Sequence, residues 1–244
     1  MRGFWIGTTV ALALAACGQG KAEEAAEPGP AIQRSFPVGS FSKIEVAGPF
    51  HVEVTTGGQP AVSARGPSEA LDKMVVEVVD GTLKIHPQRK KGMFRGWNWG
   101  DHKDTVQVAV AGPMLSRATI AGSGDMVVNR IAGERFQGTV AGSGNLNLPN
   151  VAVQQLGLEI AGSGNVTARG RAERVAYEIA GSGEIRAGEV LAEEAAAEIA
   201  GSGNIAAQAT RTAKVDIAGS GNVQVSGGAK CSVSKAGSGN VTCS

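Results

Sequence analysis

Leu156-Gly-Leu-Glu-Ile-Ala-Gly-Ser-Gly-Asn-Val-Thr-Ala168 is the stretch on which the fold turns. Before its glycine corner Leu156, Leu158 and Ile160 alternate with Gly157 and Glu159, and after it Val166 and Ala168 flank Thr167. Alternation with a period of two on both sides of a turn marks strands with one buried face. The corner recurs. Ala-Gly-Ser-Gly begins at Ala121, Ala141, Ala161, Ala180, Ala200, Ala218 and Ala236, seven copies spaced by 20, 20, 19, 20, 18 and 18 residues. Such a period predicts a solenoid, since a propeller blade needs about 40 residues and is too long. A helix-pair repeat would not carry this much glycine in its interiors. An all-β solenoid remains.

The same registers recur in the other copies. Val175, Tyr177 and Ile179, then Ala195, Ala197 and Ile199, then Ala213, Val215 and Ile217 precede the turn; Met126 and Val128, Leu146 and Leu148, Ile185 and Ala187, Ile205 and Ala207, Val223 and Val225 follow it. Stacked at about 4.8 Å per coil, these columns build a rod whose single coils could not bury their apolar faces alone. The two glycines beside each serine read as positions of positive φ or close approach. Asn145, Asn165, Asn204, Asn222 and Asn240 suit the same corner because asparagine tolerates the left-handed region and bonds its own backbone. The serines from Ser123 to Ser238 are expected to stack, as a hydrogen-bonded turn ladder or as a binding strip.

Other classes fall away on composition. The 36 glycines follow no Gly-X-Y period, which excludes collagen. None of the glycine loops is followed by the Lys and Ser/Thr of a phosphate-binding loop. With a net charge of +1 and no basic stripe interleaved with aromatics, no nucleic-acid partner is expected.

Residues 1–17 read as a signal peptide, with Arg2, an apolar run from Phe4 to Ala16, and Cys17. Leu14-Ala-Ala-Cys17 resembles the bacterial lipobox, which implies acylation of Cys17 and a membrane partner reached through a lipid anchor. Gly18 in place of Asp points to the outer membrane. Residues 18–35, poor in apolar side chains, are expected to be a flexible tether. Residues 36–105 read as an N-terminal β region and 106–244 as the solenoid repeats. In the former, Met74–Val79 and Thr82–His86 flank Asp80-Gly81, a hairpin signal. Gly66–Lys73 could hold one helical turn.

Phe41 to Ile85, Val106 to Leu115 and the repeated Gly-Ser-Gly-Asn turns together resemble the autotransporter adhesin head, or GIN, domain family. The resemblance covers nearly everything after the tether. It implies a right-handed parallel β-helix with an N-terminal β region packed against it, often in an envelope lipoprotein, and turn motifs of this kind identify a fold better than an activity.

Candidate sites follow. Glu159, Glu178, Glu198 and Asp216 each precede an inward isoleucine and so point outward as a stacked column, either a solvated face neutralised by Arg186 and Lys214 or a weak cation ladder. Residues 89–104 form a basic, aromatic loop in which Trp97 and Trp99 either anchor a glycan or protein partner or fold back over the end of the solenoid. Cys231 and Cys243 replace the inward Ala213 and Val225 of the preceding coil, so a disulfide is expected in an oxidising compartment, beside Lys235, which stands where other coils carry isoleucine. His51, His86 and His102 match no zinc spacing, so no metal is expected. No clustered carboxylates, catalytic histidine or cofactor motif is visible, and no catalytic residue or cofactor is assigned.

The reading is a non-catalytic envelope protein for adhesion or structure, which could form a homo-oligomer. The alternative is a carbohydrate-binding or polysaccharide-active β-helix.

Overall fold

The computed structural model describes residues 31–88 and 106–244. Cys17, Trp97, Trp99 and His102 lie outside the described residues. What is described is mostly strand with nearly no helix, wound as a parallel β-solenoid of about six turns.

Each coil contributes strands that pair in register with those one turn away. Along one face the parallel ladder runs from β6 (Thr82–Pro87) through β2 (Lys43–Ala47), β8 (Arg117–Gly122), β10 (Ile131–Gly142), β11 (Asn145–Gly162) and β12 (Asn165–Gly181). It continues through β14 (Glu194–Gly201) and β16 (Thr212–Gly219) to β18 (Lys230–Ala236). Along another face β7 (Gln107–Gly112), β3 (His51–Thr56) and β9 (Asp125–Val128) lead into β11 and β12. From there β13 (Glu184–Leu191), β15 (Asn204–Gln208), β17 (Asn222–Ser226) and β19 (Asn240–Cys243) follow. β2 and β3 thus stack in register on the first glycine-turn coil, so the N-terminal β region supplies rungs of the same solenoid.

The expected inward columns are the core. Val46, Ile120, Val140, Ile160, Ile179, Ile199 and Ile217 follow one another in register, all buried. The filling changes along the rod, from Phe136, Leu146, Leu148, Leu156 and Leu158 to Ala195, Ala197, Ala207 and Ala213. Tyr177 sits at the change, between Leu158 and Ala197 in its column. Its ring fills space that alanine leaves, but its hydroxyl is buried without a hydrogen-bond partner, and burial pushes the phenol above its ordinary pKa.

Backbone contact sets the corner. Gly142, Gly162, Gly181, Gly201 and Gly219 all have φ between +133° and +138°. The second glycine needs closeness instead: a Cβ on Gly164 would lie 2.4 Å from the Gly144 carbonyl oxygen and 2.6 Å from a Val140 methyl. The turn ladder runs through serine backbone amides, Ser163 donating to the Gly142 carbonyl and Ser202 to that of Gly181, both at 2.9 Å. Asparagine serves differently from expectation. Among the described residues no asparagine has positive φ; instead Asn165 Nδ2 donates to Asn145 Oδ1 at 2.9 Å, Asn145 to Asp125 at 2.6 Å, and Asn222 to Asn204 at 2.9 Å. A side-chain amide has both a donor and an acceptor, so identical copies at rung spacing satisfy one another.

The two ends are closed by different means. At the N-terminal end β4 (Ala61–Pro67) lies antiparallel on β7, and the short helix α1 (Ser68–Asp72) buries Leu71 against the core. β5 (Met74–Val79) pairs antiparallel with β6 through Asp80 at φ 48° and Gly81 at φ 70°, both left-handed as a two-residue hairpin requires. The tether ends sooner than its composition suggests. Ala31–Phe36 forms β1, antiparallel to β4 from Ala31↔Pro67 to Phe36↔Val62, and Arg34 pairs with Asp72 at 2.7 Å. An open sheet edge offers a full row of backbone partners, which orders a segment that could not bury enough side chain to order itself.

At the other end the structure joins Cys231 to Cys243, 12 residues apart, with a Cα separation of 6.7 Å. Lys235, exposed at the isoleucine column, donates from Nζ to the Gly239 carbonyl at 2.8 Å.

Two outcomes are expected in thermal and urea melts. Gly164→Ala should cost about 1–3 kcal/mol by overpacking, whereas Gly157→Ala, whose added Cβ meets nothing nearer than 3.9 Å, should stay within about 0.5 kcal/mol of the parent. Tyr177→Phe should gain about 1 kcal/mol by removing an unpaired buried hydroxyl, raising the melting temperature by about 2–4 °C.

Candidate functional site

Outward positions of the β10–β18 face form columns as regular as the inward ones. Gln137, Gly157, Ala176, Ala196, Lys214 and Ser232 follow in register, and the middle three are small. On one side runs the column Arg135, Gln155, Arg174, Glu194, Thr212 and Lys230; on the other run Thr139, Glu159, Glu178, Glu198, Asp216 and Ser234. Small side chains between two rows of long ones leave a furrow along the axis. Its main part encloses about 680 Å³ across six rungs, from Arg135 to Ser232. A shallower part of about 250 Å³ adjoins it and shares Gly157, Ala176 and Ala196 with it, reaching the acidic column.

The acidic column is therefore real as a stack: Glu159 pairs with Glu178, Glu178 with Glu198, and Glu198 with Asp216. Its neutralisation is half of what the sequence suggests. Lys214 Nζ lies 2.8 Å from Asp216, and the hydrogen bond to Asp216, with the charges of Asp216 and Glu198, raises the Lys214 pKa. Arg186 instead pairs with Glu184 on its own strand, because it follows the turn and belongs to the other face. Glu159 and Glu178 have no ion-pair partner among the described residues. No group of three or more His, Cys, Asp or Glu among the described residues is arranged to hold a metal.

On the opposite lip Arg135 donates to Gln155 from Nε at 3.0 Å, and Glu194 is taken by Arg211. Arg174 has no hydrogen bond or ion pair among the described residues. The two described histidines have separate partners: His51 lies 3.8 Å from Glu53 and 3.9 Å from Asp125, while His86 contacts Glu77 at 3.3 Å. The furrow is absent from a linear reading, yet the sequence carries its signal. Aligning the copies on Gly-Ser-Gly shows Gly157, Ala176 and Ala196 at one outward position.

The sequence profile described as "Putative auto-transporter adhesin, head GIN domain" matches residues 40–229. The chain belongs to this family. Among solved structures it is similar to a "putative adhesin" from Bacteroides fragilis NCTC 9343, at 24% identity and TM-score 0.79, covering 88% of this chain and 97% of that one. It is also similar to a "putative lipid binding protein" from Parabacteroides distasonis ATCC 8503, at 27% identity and TM-score 0.69 over 88% and 97%. A "putative adhesin" from the same strain aligns at 20% identity and TM-score 0.69 over 88% and 98%. No curated protein matches. The GIN solenoid is thus shared with adhesin-like structures, and identities of this size carry the fold and not the residues of the furrow.

Like charges one rung apart repel. Glu178→Gln with Glu198→Gln should therefore raise stability by about 0.2–1 kcal/mol, more at low than at high salt, as read from urea midpoints at two ionic strengths.

Proposed function

We propose that this chain is a non-catalytic, lipid-anchored envelope protein whose GIN solenoid serves adhesion, with the furrow as its recognition face. The observation that carries this reading is the furrow itself, a single lane open over six rungs on a rigid, in-register scaffold. A surface built on paired strands holds its side chains at fixed spacing, which favours recognition of an elongated partner over chemistry at one point. Family membership supports an envelope or surface role. The anchor rests on Leu14-Ala-Ala-Cys17, and an outer-membrane destination on Gly18.

Two measurements test the proposal. In the bacterial host, labelled fatty acid should enter the protein and be lost in Cys17→Ser, with the protein leaving the outer-membrane fraction. On an array of glycans and extracellular-matrix proteins the parent should bind saturably. Ala176→Trp with Ala196→Trp, which fills the furrow from two exposed positions, should abolish that binding without changing the melt. Loss in Trp97→Ala with Trp99→Ala, and not in the furrow variant, would move recognition to the 89–104 loop.

A further inference from the structure

The furrow has a chemistry that narrows its occupant. Over three successive rungs its floor, Gly157, Ala176 and Ala196, presents only backbone and methyl groups, with Gln137 on one side and Lys214 and Ser232 on the other in the same column. Its two lips are set four residues apart along each strand, about 13 Å. Donors dominate one lip at Arg135, Gln155 and Arg174, and carboxylate acceptors line the other. The two parts of the furrow together are lined by four cations and five carboxylates: Arg135, Arg174 and Lys230 share one lip with Glu194, Lys214 rises from the floor column, and Glu159, Glu178, Glu198 and Asp216 form the other lip. The charges nearly balance, so a polyanion would meet the acidic lip and a polycation the guanidinium lip. A bare acyl chain would leave both lips without partners.

We infer that the furrow binds an uncharged linear polysaccharide lying along the solenoid axis, its ring faces on the Gly/Ala floor and its hydroxyls shared between the Arg/Gln and Glu lips. Sugar rings have an apolar face of C–H groups that suits such a floor, and equatorial hydroxyls at both edges, which donate to carboxylates and accept from guanidinium groups. One hexose advances an extended chain by a distance close to one rung, about 4.8 Å, so the same contact recurs along the groove. Six rungs span about 24 Å, room for a short oligosaccharide. The floor of Gly157, Ala176 and Ala196 spans about 10 Å of this, so two or three rings rest on it and their neighbours meet Gln137 at one end and Lys214 at the other. This inference rests on the furrow being the recognition face, and it names what that face holds.

The test uses the full chain with Cys17→Ser, so that no anchor lipid competes, titrated by calorimetry with neutral oligosaccharides of two to six sugars: cello-, xylo- and manno-oligosaccharides. Polygalacturonate, chitosan oligomers and sodium hexadecanoate serve as contrasts. At least one neutral series should bind, tightening with length up to about five or six sugars and changing little between about 0.05 and 0.5 M salt. Glu178→Gln or Arg174→Ala should weaken binding about tenfold, as expected for a charge-assisted hydrogen bond. Ala176→Trp with Ala196→Trp should abolish it while circular dichroism and melting stay as in the parent. No binding of any neutral series, binding of only a charged polymer or hexadecanoate, or binding that survives the tryptophan pair would each overturn the inference. If the neutral series fail while array binding is still lost in the tryptophan pair, the furrow remains the recognition face and only the ligand class falls. If array binding survives the pair, both fall.

Discussion

The approach of one backbone corner to the next governs this molecule. At Gly181 a Cβ would lie 2.2 Å from the Gly162 carbonyl oxygen, and at Gly219 it would lie equally close to that of Gly201. These distances leave room for hydrogen and nothing larger, so each coil is locked to its neighbour at the corner before any side chain is considered. Once the corners are superposed, the strands leaving them have no freedom of register. A slip of one residue would turn every inward isoleucine to solvent. The aliphatic core, the asparagine ladder and the outward columns all follow from that alignment.

Much of this was legible in the sequence, because a repeat states the same constraint several times. The columns ending in Ile160, Ile179 and Ile199, the hairpin at Asp80-Gly81, and the facing positions of Cys231 and Cys243 could be read from alternation and from counting back to the glycine corner. What escaped depended on partners distant in the chain. β1 is ordered by the edge of β4 and by Asp72, neither of which its own composition announces. β2 and β3 join the solenoid although they lack a Gly-Ser-Gly corner between them, where Gly48 at φ +118° does the turning. Asparagine looked like a turn residue and acts as a ladder, since its neighbour of consequence is 20 residues away.

The site was harder to see than the fold for a related reason. Burial selects for hydrophobicity and leaves a periodic mark, whereas a furrow is made by what is missing. Gly157, Ala176 and Ala196 are unremarkable singly, and only the rows beside them, drawn from six coils, turn their smallness into a concavity. Arg186 shows the converse. It is close in sequence to the acidic column and structurally separate from it, because the turn places it on another face.

The coils differ in length, and the place where they differ is fixed. Between β11 and β12 the register shifts after Leu148, where Val151 meets Gly170, and between β12 and β13 it shifts back after Thr167. The bend that follows the strand after each Gly-Ser-Gly turn thus absorbs a missing residue while Ile160 and Ile179 keep their alignment. That bend is therefore a place where residues can be added or removed, altering one stretch of the outer surface, while the glycine corners and the isoleucine column keep their alignment.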